Sequence, residues 1–168
     1  MSFGQALHEV MERHGDTQME LSAVAHVSNS TISKYVRGTR RPPEDVMRSV
    51  ATHYDEAELY IAAANEATGE AWVPWMNNAD LHRATTHLKT LEEIEEAVQA
   101  MRSAPITKRG DQITQQEREL VRRAIMECIE AITALTHHVA ILCKEYTFSW
   151  FGLWKEHRQK LRAHKYLK

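Results

Sequence analysis

Apolar positions recur along this chain with the three-and-four spacing of helix faces. Phe3, Leu7, Val10 and Met11 make one face of a first helix over residues 2–14, ended by Gly15. Leu21, Val24 and Ala25 make the face of a second, with Thr17 as its N-cap and Glu20 completing a capping box. The pattern breaks at His26-Val27-Ser28 and restarts with Ser28 as a cap, Ile32, Tyr35 and Val36 as the buried side, and Gly38 as the stop. Thr39–Pro43 is a loop. Pro43 suits the first turn of the next helix, with Glu44 and Asp45 at its positive end and Val46, Val50, Ala51 and Tyr54 inside. Residues 55–65 predict a fifth, alanine-rich helix with Leu59 and Ala62 facing in. Helices as short as the second and third hold their shape only by packing on others.

Residues 67–78 read as a linker holding Trp72 and Trp75. These rings either pin two domains together or line an aromatic pocket. A long helix follows over 80–102, with Leu81, Ala84, Leu88, Leu91, Ile94, Val98 and Met101 as its stripe. Residues 103–111, with Pro105 and Gly110, break it. Thr114 caps the next helix, with Glu117 in the capping-box position. Val121, Ile125, Cys128, Ile132, Leu135, Val139, Leu142 and Tyr146 then form an unbroken apolar heptad, broadened by Leu120, Ala124, Ile129, Ala131 and Ile141. So wide a stripe predicts a bundle core with more than one neighbour, partly supplied by a second copy of the chain. In the aromatic stretch Tyr146–Trp154, Gly152 is placed to bend or end the helix. Residues 155–168 resume with Leu161 and Leu167 inside a basic surface.

At 168 residues the chain fits one domain or two small ones, and 43% hydrophobic residues suffice for a real core. The net charge of −2 is not that of a general nucleic-acid coat. Residues 1–64 carry six Lys and Arg against nine Asp and Glu, yet Lys34, Arg37, Arg40 and Arg41 fall within eight residues. A short basic stripe on an acidic domain implies weak non-specific binding and a need to dimerise. Cys128 and Cys143 on one helix would lie about 22 Å apart and cannot bridge each other. No leader and no apolar run long enough for a bilayer is seen in the pattern. The expectation is a cytoplasmic, nucleoid-associated protein with reduced thiols and no membrane association.

The stretch Thr17–Gly38 resembles the helix-turn-helix of the Xre family, the lambda-repressor and Cro-like DNA-binding domains. The likeness runs ungapped through Thr17-Gln18, Leu21, Val27-Ser28, Ser30-Thr31-Ile32-Ser33, Tyr35, Arg37-Gly38 and Pro42. It departs at His26, where the family has glycine and the backbone takes a positive φ at a cost of about 1 kcal/mol for other residues. It departs again at Ser22, still small, where alanine is common. The resemblance implies a lambda-repressor-like five-helix DNA-binding domain over 1–66; the hydrophobic pattern adds a linker over 67–79 and a C-terminal helical bundle over 80–168 for dimerisation and regulation, giving an all-α protein. It implies base reading by Asn29, Ser30, Thr31, Ser33 and Lys34. Phosphate contacts fall to Thr17, Gln18, Lys34, Arg37, Arg40 and Arg41. Val121, Ile125, Cys128, Ile132, Leu135, Val139 and Leu142 form the dimer or bundle core. The partner is a near-palindromic double-stranded operator, bound by a homodimer or higher oligomer.

Other chemistry finds little footing. Ten histidines include no pair at i, i+4 ligand spacing, and no CxxC or HExxH occurs, so no metal or cofactor is expected. G-x-S-x-G, P-loop and dinucleotide fingerprints are missing too, and no enzymatic activity is expected. Repressors resembling this one often cleave themselves at Ala-Gly or Cys-Gly. Here none of the six glycines follows Ala or Cys. Inactivation then falls to a partner, a protease or a ligand. The basic tail, seven Lys and Arg against two Glu over 144–168, is open to three readings: a solvated face, a protein-binding surface, or added phosphate contacts. The resulting function is a dimeric repressor of phage or mobile-element type. The alternative is an antitoxin or anti-regulator that controls its own operon and binds a toxin or antirepressor through the C-terminal bundle.

Overall fold

A computed structural model describes all 168 residues, and the chain is helical throughout: α1 (Phe3–His14), α2 (Gln18–Ala25), α3 (Asn29–Val36), α4 (Glu44–Tyr54), α5 (Ala57–Ala67), α6 (Arg83–Ser103), α7 (Gln115–Glu145) and α8 (Trp150–Ala163). It divides into two compact units. One contains residues 1–78 and 142–168, the other residues 79–141. The C-terminal segment therefore belongs with the N-terminal helices, whereas the hydrophobic pattern grouped it with residues 80–141.

In the first unit, α1 packs on α3 and α5, α2 on α3 and α4, and α4 on α5. Phe3, Leu7, Val10, Leu21, Ile32, Tyr35, Met47, Val50 and Leu59 form its core. Helix ends are fixed by local chemistry. The Ser2 hydroxyl accepts from the Gln5 amide, and Gly15 closes α1 at φ 73°. Asp55 closes α4 at φ 50°, so α5 starts two residues later than the pattern predicts, at Ala57. Asp55 also reaches α8. Its carboxylate accepts hydrogen bonds from the Ser149 hydroxyl and, at 2.9 Å, from the Phe151 amide. That amide is one of the donors a helix N-terminus leaves free. The Phe151 ring stacks on Tyr60, with centroids 6.4 Å apart.

This anchor corrects the expectation at Gly152. The chain turns at Thr147 (φ 59°), Ser149 caps the new helix, and Gly152 lies inside it with its amide bonded to the Ser149 hydroxyl at 2.8 Å. A glycine in a first turn needs no break when a cap precedes it. Trp150 is buried, but the helix is otherwise exposed; Leu161 is half-buried and Leu167 open to solvent rather than inside. Of the two linker tryptophans, Trp75 is buried and Trp72 is about half exposed.

In the second unit, α6 and the greater part of α7 form an antiparallel hairpin. Thr114 and Glu117 form the capping box that opens α7: the Thr114 amide donates to Glu117 Oε2 at 2.9 Å, and the Glu117 amide donates back to the hydroxyl at 3.2 Å. Lys108 and these Thr114 groups hold the Glu117 carboxyl down at about 2. The packing faces differ from expectation. On α6 the buried residues are Thr86, Thr90, Glu93, Ala97 and Ala100, not the apolar stripe; Leu88, Leu91 and Met101 are exposed. On α7, Ala124 and Ala131 are buried. The heptad expected as a core is largely open: Ile125, Ile132, Leu135 and Val139 are exposed, and Val121, Cys128 and Leu142 are half-buried. The physical reason is contact size. Alanine and threonine let the two backbones approach, so Ala100, Ala104 and Ala124 cluster and the Thr90 hydroxyl donates to the Ala134 carbonyl at 3.2 Å. The larger aliphatics stand beside this contact. By length and composition α7 is apolar enough to cross a membrane, contrary to the expectation from the pattern. Its charges concentrate toward its ends, and residues 125–142 hold only Glu127 and Glu130, so that stretch is apolar on average.

Candidate nucleic-acid interface

Two eight-residue helices and the turn between them form the candidate site. The Thr17 amide and hydroxyl each donate to Glu20 at 2.8 Å, and the Glu20 amide donates back at 3.3 Å. Those bonds lower the Glu20 carboxyl. Thr17 is thus committed to the cap, and Gln18 is the first residue of α2, half-buried. His26 ends α2 in the left-handed region at φ 51°, with its amide bonded to the Ser22 carbonyl, as the residue standing in for a turn glycine must. The Ser49 hydroxyl of α4 donates to the Val24 carbonyl at 3.1 Å, tying α2 down.

Ile32 and Tyr35 fix α3 from below. At its N-terminus the Ser28 hydroxyl lies 3.0 Å from that of Ser30 and 2.8 Å from that of Thr31, and it accepts from the Thr31 amide. Asn29, Ser30 and Lys34 are exposed, whereas Thr31 and Ser33 are half-buried. Of the residues expected to read bases, Asn29, Ser30 and Lys34 are the ones a groove edge can meet without rearrangement.

The cations gather where α3 ends. Thr39 donates to the Lys34 carbonyl through its amide at 3.0 Å and its hydroxyl at 3.2 Å, and the Arg40 amide reaches the same oxygen at 3.3 Å. This folds the loop back on the helix and keeps Lys34, Arg37 and Arg40 together. Arg37 Nε donates to the Ser33 carbonyl at 3.1 Å, and the Arg40 guanidinium lies 5.9 Å from the centre of the Tyr35 ring. Arg41 has a structural partner: it donates to the Glu66 carbonyl at 2.8 Å, near the C-terminal end of α5, where a cation is favoured. All four cations are exposed: Lys34 on α3, Arg37 at its C-cap, and Arg40 and Arg41 in the loop that follows.

Three anchoring contacts have no signature in the sequence pattern. A Cβ on Gly4 would lie 2.2 Å from the Tyr35 carbonyl oxygen, so α1 crosses the end of α3 at a distance only glycine allows. Arg13 lies 3.0 Å from Glu58, whose side chain is 5% exposed. Burial pushes the Glu58 carboxyl up, and Arg13 pulls it partly back. Asp55, read only as the start of a helix, anchors α8. None of the three leaves a local pattern, because each partner is remote in sequence.

Elsewhere, Glu93, Glu127 and Glu130 bring carboxylate oxygens within 4.8 Å of one another. Lys89 at 2.9 Å from Glu93 and Arg123 at 3.3 Å from Glu127 supply counter-charge. Cys128 and Cys143 are free thiols.

Residues 2–58 match the family model of a helix-turn-helix domain. No curated protein and no solved structure matches the chain. The matched residues span α1 to the first residues of α5 and enclose the capped pair α2–α3, so the N-terminal part of this all-helical chain is a helix-turn-helix domain, and its five helices fit an Xre-like, lambda-repressor-like fold.

Proposed function

We propose that the protein is a dimeric, sequence-specific transcriptional repressor acting on a near-palindromic operator, of phage or mobile-element type and without a self-cleaving peptidase. The observation that carries this reading is the asymmetry of α3. Exposed Asn29 and Ser30 stand at its capped N-terminus, and exposed Lys34, Arg37 and Arg40 gather at its far end. The first end suits base edges and the second suits phosphate. Gln18 and Arg41 extend the phosphate contacts. Two such helices about 34 Å apart would meet successive major-groove faces. The protein works in the cytoplasm, on the nucleoid.

The test is a mobility shift and footprint on the DNA upstream of its own coding region, over a salt series. Paired protected half-sites and a steep salt slope support the reading. Equal affinity for operator and random DNA overturns it. One observation favours a second role: Phe148, Phe151 and Trp154 are at least half exposed beside a basic helix, a surface suited to a protein partner such as a toxin or antirepressor. A small protein that co-purifies and releases the DNA would establish that role.

A further inference from the structure

The two helices of the second unit meet largely through small side chains and leave many of their large ones exposed. Successive helical residues are separated by about 100°. Around α6, the stripe Leu88, Leu91, Val98 and Met101 is centred about 110° from the buried line Thr86, Thr90, Ala97. Around α7, the stripe Ile125, Ile132, Val139 lies about 100° from the buried line Ala124, Ala131. Both displacements have the same sense, and the helices run antiparallel, so both stripes emerge on one side of the hairpin. Glu93, Glu127 and Glu130, with Lys89 and Arg123, fall on the other. The hairpin thus has one apolar face and one ion-paired face.

We propose that this apolar face is the pairing surface of the protein: the α6–α7 hairpin of a second copy lies on it and closes a four-helix bundle. The proposal rests on the dimeric reading above and names its interface. Size supports it. Leu88, Leu91, Met101, Ile125, Ile129, Ile132, Leu135 and Val139 are each 39% to 67% exposed. At roughly 80 Å² apiece they present about 600–700 Å², close to the ~800 Å² each partner buries in a standard stable interface and more than a monomer usually leaves open. Geometry supports a copy in particular. A two-helix layer with one apolar side is closed by another layer of the same kind, and two helices over two is the four-helix solution. A two-fold axis along the helices sets α6 of one copy beside α7 of the other. A bilayer is the poorer occupant, because the opposite face of α7 carries Arg123, Glu127 and Glu130.

Light scattering after size exclusion tests this, with dilution from about 100 μM to 0.1 μM. The wild type is expected at twice 19.4 kDa. Ile132→Asp should raise the dimer Kd at least 100-fold while helical circular dichroism is retained. Leu135→Ala, which adds no charge to the face, should raise it about 10-fold. Ile106→Asp, in a loop and 80% exposed, should leave it unchanged. A wild-type monomer throughout the range overturns the proposal, as does its uptake by anionic phosphatidylglycerol vesicles in place of dimerisation. A dimer that neither face variant weakens also overturns it, while leaving the DNA-binding reading intact; loss of operator binding by a protein that still dimerises through this face would remove that reading alone.

Discussion

Gly4 and Tyr35 meet backbone to backbone: an added Cβ on Gly4 would stand 2.2 Å from the Tyr35 carbonyl oxygen, far inside contact distance. Tyr35 is in the last turn of α3, so this crossing sets how α3 sits on α1. Gly4→Ala must push the two helices apart, because the obstructing atom is backbone and has no rotamer to change. The expected loss is about 3 kcal/mol, at the upper end of overpacking costs, read as a lowered thermal midpoint. Operator affinity should fall more than the unfolded fraction accounts for, because the survivors carry a displaced α3.

Arg13 and Glu58 make a second specific dependence. Arg13→Ala leaves an almost fully buried carboxylate with only the more remote Lys144 to offset it. At pH 7 the expected cost is about 2 kcal/mol, below the 3–5 of a wholly buried pair because Arg13 is partly solvated. Burial already raises the Glu58 carboxyl above its ordinary value of 4.5. A raised carboxyl favours folding when protonated, so the penalty should shrink as pH falls toward that range. Urea melts of wild type and variant at pH 7 and pH 5 would show it; a gap that stays constant removes the role assigned to the ion pair.

His137 sets the opposite dependence in the second unit. Its ring is 1% exposed, and its Nδ1 lies 2.8 Å from the Thr133 carbonyl. Burial lowers its pKa below 6.5, outweighing the Thr133 bond. The unfolded chain therefore binds a proton that the folded one resists. Stability from this group is complete above pH 6.5 and is lost as pH falls through the lowered value. Unfolding free energy should decline on acidification below about 6.5, and His137→Gln should flatten that decline. An unchanged slope in the variant would assign the titration elsewhere.

What the sequence shows of this molecule follows the range of the interactions involved. The capping boxes Thr17–Glu20 and Thr114–Glu117 close within three residues, so their residue types announce them. His26 at φ 51° and Gly38 at φ 67° are likewise local backbone requirements. The helix-turn-helix is made almost wholly of such signals. The hairpin is not: periodicity marks Leu88–Met101 and Ile125–Val139 as faces seeking burial, but it cannot say whether the same chain covers them. Ala97 and Ala100, with Ala124 and Ala131 from the margin of the α7 stripe, determine the contact within the chain. The start of α8 is only partly local: beside its own Ser149 cap it is anchored by Asp55, more than ninety residues away.

Asp55 joins two tasks that one substitution can separate. It holds φ 50° at the end of α4, a conformation asparagine also tolerates, and its carboxylate caps α8 through Ser149 and Phe151. Asp55→Asn keeps the turn and the acceptor but removes the charge, and should loosen α8 by less than 1 kcal/mol. Asp55→Ala loses the acceptor and strains the turn, and should cost about 2 kcal/mol. Hydrogen exchange separates the cases: in Asp55→Ala the α8 amides should exchange faster first, with α1–α3 protected.

Asn29 and Arg40 should divide the work of binding DNA. Asn29 stands exposed at the start of α3, where a side chain reaches a base edge. Arg40 is held over Tyr35 by the loop that folds back on Lys34. Asn29→Ala should cost about 1–3 kcal/mol on the operator and little on random DNA, relaxing preference at one position of each half-site. Arg40→Ala should weaken both alike and reduce the salt slope by about 1 per DNA-bound subunit. The pair of salt series is needed because a damaged fold would also lower operator affinity. A fold defect leaves the slope per bound molecule unchanged, whereas loss of a phosphate contact cannot. Equal losses on operator and random DNA for Asn29→Ala would remove it from base reading and leave Ser30 and Lys34 as the exposed residues able to do that work.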